Sequence, residues 1–338
     1  MRTESELDEV MTRPSAALVE DMAKLDSDVL VLGAGGKMGP SLVRLARRAM
    51  TEAGLRHRVI AVSRFGSGDL AERLEAEGVE VVRADLTDPD ALAGLPDAGA
   101  VVYMVGAKFG STGNEPFTWM MNSYLPGRVA ERYPEARIAA FSTGNVYPFL
   151  PVTSGGADEQ TPPGPVGEYA MSCLGRERIL EHFSRVNGTP MTLLRLNYAI
   201  DLRYGVLVDI ARRVRDGEEI DVSMGAVNVV WQGWANEVAL RSLLLAASPA
   251  VRLNVAGPET VSVRRLAELF GERLGVQPRI VGQEADTALL SNGSRAHQLF
   301  GYPSVPLGQL VDWTVEWLQA GGPLWDKPTK FERRDGRF

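Results

Sequence analysis

Two hydrophobic rhythms alternate through the first two-thirds of the 338-residue chain. Short runs rich in β-branched and aliphatic residues, "DVLVLG" (28–33), "RVIAVS" (58–63), "VEVVR" (79–83), "AVVYMVG" (100–106), "RIAAFS" (137–142) and "MTLLRLN" (191–197), lack the strict apolar–polar alternation of a half-solvated strand. Between them lie stretches with apolar positions at helical spacing, such as "LVRLARRAMTEAG", "GDLAERLEAEG", "EPFTWMMNSYLPGRVAERY" and "GEYAMSCLGRERILEHFSR". Strands apolar on both faces and separated by helices predict a parallel sheet covered on both sides, a doubly wound α/β core. Pro126, inside the fourth stretch, lacks a donor N–H and is expected to kink or interrupt that helix.

Residues 1–27 precede the first strand and hold one short helix-like segment, "PSAALVEDMAKL". They are expected to form an added arm, packed on the body or on a neighbouring subunit. After Asn197 the rhythm loosens into helices, short strand-like pieces such as "AVNVVWQG" and "RLNVAG", and a polar, turn-rich tail, "PLWDKPTKFERRDGRF". The expected division is an extension at 1–27, a core domain at 28–198 rejoined by 226–250, and a smaller mixed α/β lobe made of 199–225 and 251–338.

A net charge of −7 argues against a nucleic-acid partner, which needs a dense basic footprint. The one basic cluster, "RLARRA", reads as the solvent face of a helix. Cys173 is the single cysteine, so no intrachain disulfide or cysteine-built metal centre can form, and a cytoplasmic setting is expected. His57, His182 and His297 are scattered without metal-ligand spacing, so no metal is expected. The acidic N-terminal segment lacks an export-signal core and the run "VALRSLLLAA" is short and carries Arg241, so no membrane span is expected.

Candidate chemistry begins with "VLVLGAGGKMGPSL", where Gly33, Gly36 and Gly39 recur every three residues between the first strand and the first core helix. Glycines there allow a tight turn, close approach of a pyrophosphate to main-chain N–H groups, and close helix–strand packing. With Lys37 and Met38 they form the candidate cradle of a dinucleotide in a Rossmann-type domain. The second strand ends in Ser63 and Arg64 with no carboxylate, and Arg64 can accept a 2′-phosphate, so NADP is favoured over NAD. Asp85 and Leu86, after the third strand, fall where an adenine would lie, although Asp85 also suits a turn or helix cap.

Together "GAGGKMG", "ADL", "FSTGNVYP", "EYAMSCLGRE", "RLNYA" and "LNVAGPETVSVRRLAELF" resemble, in order and spacing, the extended short-chain dehydrogenase/reductases, also called the NAD-dependent epimerase/dehydratase family. The resemblance covers roughly residues 28–320. It implies that Thr143, three residues before Val146, hydrogen-bonds the reacting oxygen, that Tyr169 is the general acid/base, and that Asn122 supports the site from the preceding helical segment. It further implies a sugar-like substrate, a nucleotide sugar being one form, handled by hydride transfer, and homodimers built by the helices near 114–133 and 167–187. Asn145, Asn197, Trp231 and Gln232 are the candidate substrate contacts, with packing the competing role for the tryptophan. Arg203, Tyr204 and Arg213 are candidates for meeting an anionic group.

Two departures from the family pattern matter. Where the family carries a lysine one helical turn after the tyrosine, this chain has Cys173, which supplies no cation to stabilise a phenolate. Lys108, in "VGAKFG", sits where some nucleotide-sugar epimerases of the family have a lysine facing the cofactor and is the candidate substitute. Cys173 is either a reactive group or a small inert hydrophobe. After Thr143 stand Gly144 and Asn145, not the Asp-Glu pair with which dehydratases of the family remove water, so dehydration is disfavoured. The remaining alternatives are an epimerase or dehydrogenase and a non-catalytic dinucleotide sensor or scaffold.

Overall fold

The computed structural model describes every residue except Ser67, Phe109, Ser111, Asp326 and Phe338. Seven parallel strands form the central sheet: β1 (Val29–Leu32), β2 (Val59–Ser63), β3 (Glu80–Arg83), β4 (Ala100–Tyr103), β5 (Arg137–Thr143), β6 (Met191–Leu196) and β7 (Val251–Val255). Their spatial order is β3-β2-β1-β4-β5-β6-β7. β1 and β4 are buried along their whole length, which is why their sequences show no polar alternation. The sheet is the doubly wound Rossmann-type α/β architecture, and its order reverses between β1 and β4, opening a crevice at their carboxyl ends.

Helices cover both faces. In chain order they are α1 (Glu4–Met11), α2 (Ala16–Met22), α3 (Gly39–Glu52), α4 (Leu70–Ala76), α5 (Pro89–Ala93), α6 (Glu115–Trp119), α7 (Leu125–Arg132) and α8 (Gly167–Asn187), followed by α9 (Val206–Arg215), α10 (Gln232–Arg241), α11 (Val263–Leu274), α12 (Ser294–Phe300) and α13 (Leu307–Gln319). The N-terminal arm holds two helices where one is expected. Thr3 and Glu6 form a reciprocal capping box that starts α1, a short-range signal easily missed in an acidic segment. Leu7, Met11, Leu18 and Met22 are fully buried in the core beside α3 and α10, so the arm packs on the body of its own chain.

The expected lobe boundary shifts at one element. Residues 251–255 do not belong with the C-terminal lobe; they pair with β6 in register Val251 to Thr192 through Val255 to Leu196 and form the sheet edge. Their partly polar sequence fits an edge strand, which has one neighbour only. The tail beyond α13 returns across the carboxyl end of the sheet. Thr329 donates from N and Oγ1 to the buried Asp209 carboxylate at 2.7 and 2.6 Å, Phe331 is buried, and Arg334 donates to Thr287.

Candidate active site

A cavity of about 380 Å³ opens at the crevice between β1 and β4. It is lined by the glycine loop, by Met104–Gly106 and Lys108 after β4, by Phe141–Thr143 of β5, by Asn145, and by Tyr169 and Arg176 of α8. Leu196–Ala199, Tyr204–Val206, Gln232 and Thr329 close its other side.

The glycine loop is packed too tightly for side chains at two of its positions. Gly33 has φ +92° and a Cβ there would press on Val105 at 3.1 Å; a Cβ on Gly39 would lie 2.3 Å from the Ala34 carbonyl oxygen. Pro40 occupies the first turn of α3, where a missing N–H costs nothing, and the other amides of that turn have no partner within the helix. Main chain, helix terminus and cavity therefore fit a dinucleotide, with Gly33, Gly36, Lys37, Met38 and Gly39 all on its wall. The Lys37 Nζ stands 3.2 Å over the Tyr204 ring centroid. Burial brings its ammonium down to about 7, with Lys327 and Lys108 pushing the same way and Asp209 opposing.

At the other end, Thr143 Oγ1 accepts from the Asn145 amide at 3.2 Å and donates to Asn145 Oδ1 at 3.0 Å. The Tyr169 phenol interacts with the hydroxyl of Thr143 and the thiol of Cys173. Burial drives the phenol far above the ordinary tyrosine range; Cys173 adds to this, whereas Arg176 and Thr143 oppose it. Burial also raises the Cys173 thiol, against the pull of Arg176. Lys108 Nζ lies 5.6 Å from the Tyr169 ring centroid, its ammonium lowered to about 8 by burial, with Cys173 opposing and Lys330 reinforcing.

Asn122 does not line the cavity. It is fully buried, and its side chain clamps the loop that carries Lys108: Oδ1 accepts from the Ala107 amide and Nδ2 donates to the Ala107 carbonyl, both at 2.8 Å. A further bond from Nδ2 to Ser172 Oγ at 3.0 Å ties that loop to α8. Below it, the fully buried Arg195–Glu177 pair at 2.7 Å joins β6 to α8, and Glu177 also accepts from Ser142 of β5 at 2.6 Å. Arg195 reaches Tyr147, whose hydroxyl donates to Asn254 on β7 at 2.7 Å.

Other candidates are distributed as follows. Asn145, Asn197 and Gln232 reach the cavity, as does Tyr204. Trp231 does not: it is 2% exposed and meets Trp313 edge-to-face, so its indole belongs to the core and is corrected from substrate contact to packing. Ser63, Arg64, Asp85 and Leu86 lie at the ends of β2 and β3, outside the cavity lining. Asp85 accepts from Thr87 N and Oγ1 at 3.0 and 2.8 Å, which holds its carboxyl below the usual range and fills the turn role. Arg203 is paired with Asp201, Glu4 and Asp8, and Arg213 with Glu332. Sequence reasoning missed Arg176, Tyr198 and Thr329. Tyr198 carries φ +40°, a conformation that a tyrosine rarely adopts.

A glycine-rich loop at the point where the strand order reverses, joined in one cavity to a tyrosine–threonine hydroxyl pair, defines a protein of the Rossmann class. A family model described as the NAD dependent epimerase/dehydratase family matches residues 29–222, more than half of the chain. The chain belongs to that family. Among solved structures it is similar to a UDP-glucose 4-epimerase from Thermotoga maritima with UDP-glucose (20% identity, TM-score 0.69, covering 87% of this chain and 99% of that one). It is also similar to a UDP-glucuronic acid 4-epimerase from Bacillus cereus in complex with NAD (16%, 0.70, 87% and 98%) and a UDP-glucose 4-epimerase from Thermus thermophilus with NAD (19%, 0.69, 86% and 99%). At these identities the likeness is one of fold. No curated protein matches by sequence.

Proposed function

We propose that the protein is an NAD(P)-dependent epimerase or dehydrogenase acting on a hydroxyl or ketone of a sugar-like substrate. The observation that carries this reading is the convergence of Thr143, Tyr169 and Lys108 on the cavity that also contains the glycine cradle. A bound dinucleotide supplies the hydride acceptor and donor. Thr143 Oγ1 orients the substrate oxygen by hydrogen bonding, and Tyr169 Oη gives that oxygen its proton or takes it away. A phenol so strongly desolvated stays protonated and leaves little phenolate to act as base, so proton removal requires a neighbouring cation, a role we assign to Lys108. Asn122 keeps Lys108 at the site through its two bonds to Ala107.

Gly144 and Asn145 offer no acid–base pair for water loss, which supports epimerisation or dehydrogenation over dehydration. The structural neighbours with UDP-glucose or with NAD support a nucleotide sugar as the substrate class. Ser63 and Arg64 at the end of β2 favour NADP over NAD. Exposed Phe117, Trp119 and Tyr124 around α6 and α7, with Met171 and Val186 on α8, favour a homodimer through these helices. The competing reading, a non-catalytic sensor, draws its support from Cys173 in the lysine position.

One experiment separates the two: addition of UDP-glucose and UDP-glucuronic acid to dinucleotide-loaded protein, following dinucleotide reduction and sugar products. Tyr169→Phe is expected to bind dinucleotide as wild type does and to lose roughly 10²-fold or more in turnover. Equal turnover in Tyr169→Phe and wild type would overturn the assignment.

A further inference from the structure

The environment of Arg176 is set by Pro126. A proline cannot donate to the carbonyl four residues earlier, which here is that of Asn122. Between α6 and α7 the chain widens into a π-helical turn, Met120–Tyr124, with the Leu125 amide bonded back to Met120. The Asn122 carbonyl thus left over accepts from Arg176 Nε at 3.1 Å. The rest of the guanidinium is held just as closely: Nη2 donates to Asn122 Oδ1 at 3.0 Å and Nη1 to the Phe141 carbonyl at 2.6 Å. Gly106 makes room, because a Cβ there would stand 2.9 Å from Nη2.

All three acceptors are neutral, and Arg176 is 5% exposed. Among the described residues no carboxylate forms an ion pair with it; Glu177, its neighbour in sequence, is committed to Arg195 and Ser142. A buried charge without a counter-charge is costly, and a neutral donor would serve to cap a leftover carbonyl. Arg176 nevertheless lines the cavity, and the spacing of Tyr169, Cys173 and Arg176, at i, i+4 and i+7, places the three on one face of α8.

We propose that Arg176 is a positioning residue that fixes positive charge beside the Tyr169–Cys173 pair, on the helix face from which the lysine is missing. A guanidinium stays protonated at any working pH, so it holds charge without exchanging protons, and proton exchange is left to Lys108. The role in turnover rests on the function proposed above; the electrostatic claim does not. The charged and titratable groups that act on the pair are Arg176 and Glu177 of α8, Tyr103 of β4 and Lys108 after it, with Lys330 of the tail acting on Lys108.

Because Cys173 is the only cysteine, its thiolate absorbance reports on one group, and no ligand is needed. We would titrate wild type, Arg176→Gln and Arg176→Lys, with Cys173→Ser as the blank. Arg176→Gln should raise the thiolate midpoint by about one pH unit or more, and Arg176→Lys should restore it. Equal midpoints in all three proteins would overturn the proposal, since a merely structural arginine would change stability and not ionisation. If Arg176→Gln does not fold, thermal melts of Cys173→Lys decide. That change should lower Tm more than Cys173→Glu does, because a second cation would share one buried face with the guanidinium whereas a carboxylate would pair with it; equal losses would refute the idea. A protein that binds no dinucleotide would sink the proposed function and leave both results standing.

Discussion

Lys37 and Lys108 sit where burial favours their neutral forms, at about 7 and about 8. Both ammonium groups are charged below these values and lose charge as pH rises through them. For the empty protein the sign is one of relief: depressed lysine pKa values oppose folding at low pH, and the penalty fades as pH rises through the folded-state values. For an anionic ligand the sign reverses, because it needs the charged forms. Dinucleotide affinity should therefore weaken by roughly tenfold from about pH 6 to about pH 9, and Lys37→Met should flatten the curve. Fluorescence titration across that range checks this; a flat wild-type profile would mean that neither lysine meets the ligand. At this scale the sequence is partly legible. Gly33, Gly36, Gly39, Thr143 and Tyr169 stand at diagnostic spacings. Arg176 is hidden because a charged residue on a helix reads as solvated, and only the packing of α8 on the π turn shows it buried. Trp231 misleads because it ends a two-residue strand whose next residue, Gln232, begins α10, so adjacent side chains leave in different directions.

Pro126 shows the same division between elements. Its effect on the helix follows from covalent structure, and the expected interruption is present as a π turn that places Asn122 and its freed carbonyl against Arg176. That this carbonyl meets Arg176 depends on how α7 lies against α8, with Gly127 against Ile179 and Phe183, which no local pattern specifies. The sixth core run of the sequence becomes β6, whereas β7 reads as part of the lobe because it comes after a long excursion in sequence. The bonds of Glu177 to Arg195 and Ser142 tie β5, β6 and α8 together. Glu177→Ala leaves a buried guanidinium unpaired and should cost about 3–5 kcal/mol in denaturant unfolding. A loss below about 1 kcal/mol would show that the pair is not the joint described.

On the scale of the whole molecule, the position of the site follows from topology: the strand order reverses between β1 and β4, and the cavity opens there. The C-terminal tail is polar and turn-rich in sequence. Nothing in that composition announces that Thr329 would reach the cavity wall or that Trp325 would stack with Tyr204 at 6.4 Å between ring centroids. Among the described residues no helix is long and apolar enough to cross a membrane. Central to the function proposed here is that the glycine cradle and the Thr143–Tyr169 pair serve one bound nicotinamide dinucleotide. Native mass spectrometry of the purified protein, as isolated and after addition of NAD or NADP, tests this most directly. One dinucleotide per chain is expected, with NADP retained in preference to NAD. A protein that stays at its bare chain mass in the presence of both dinucleotides would contradict it.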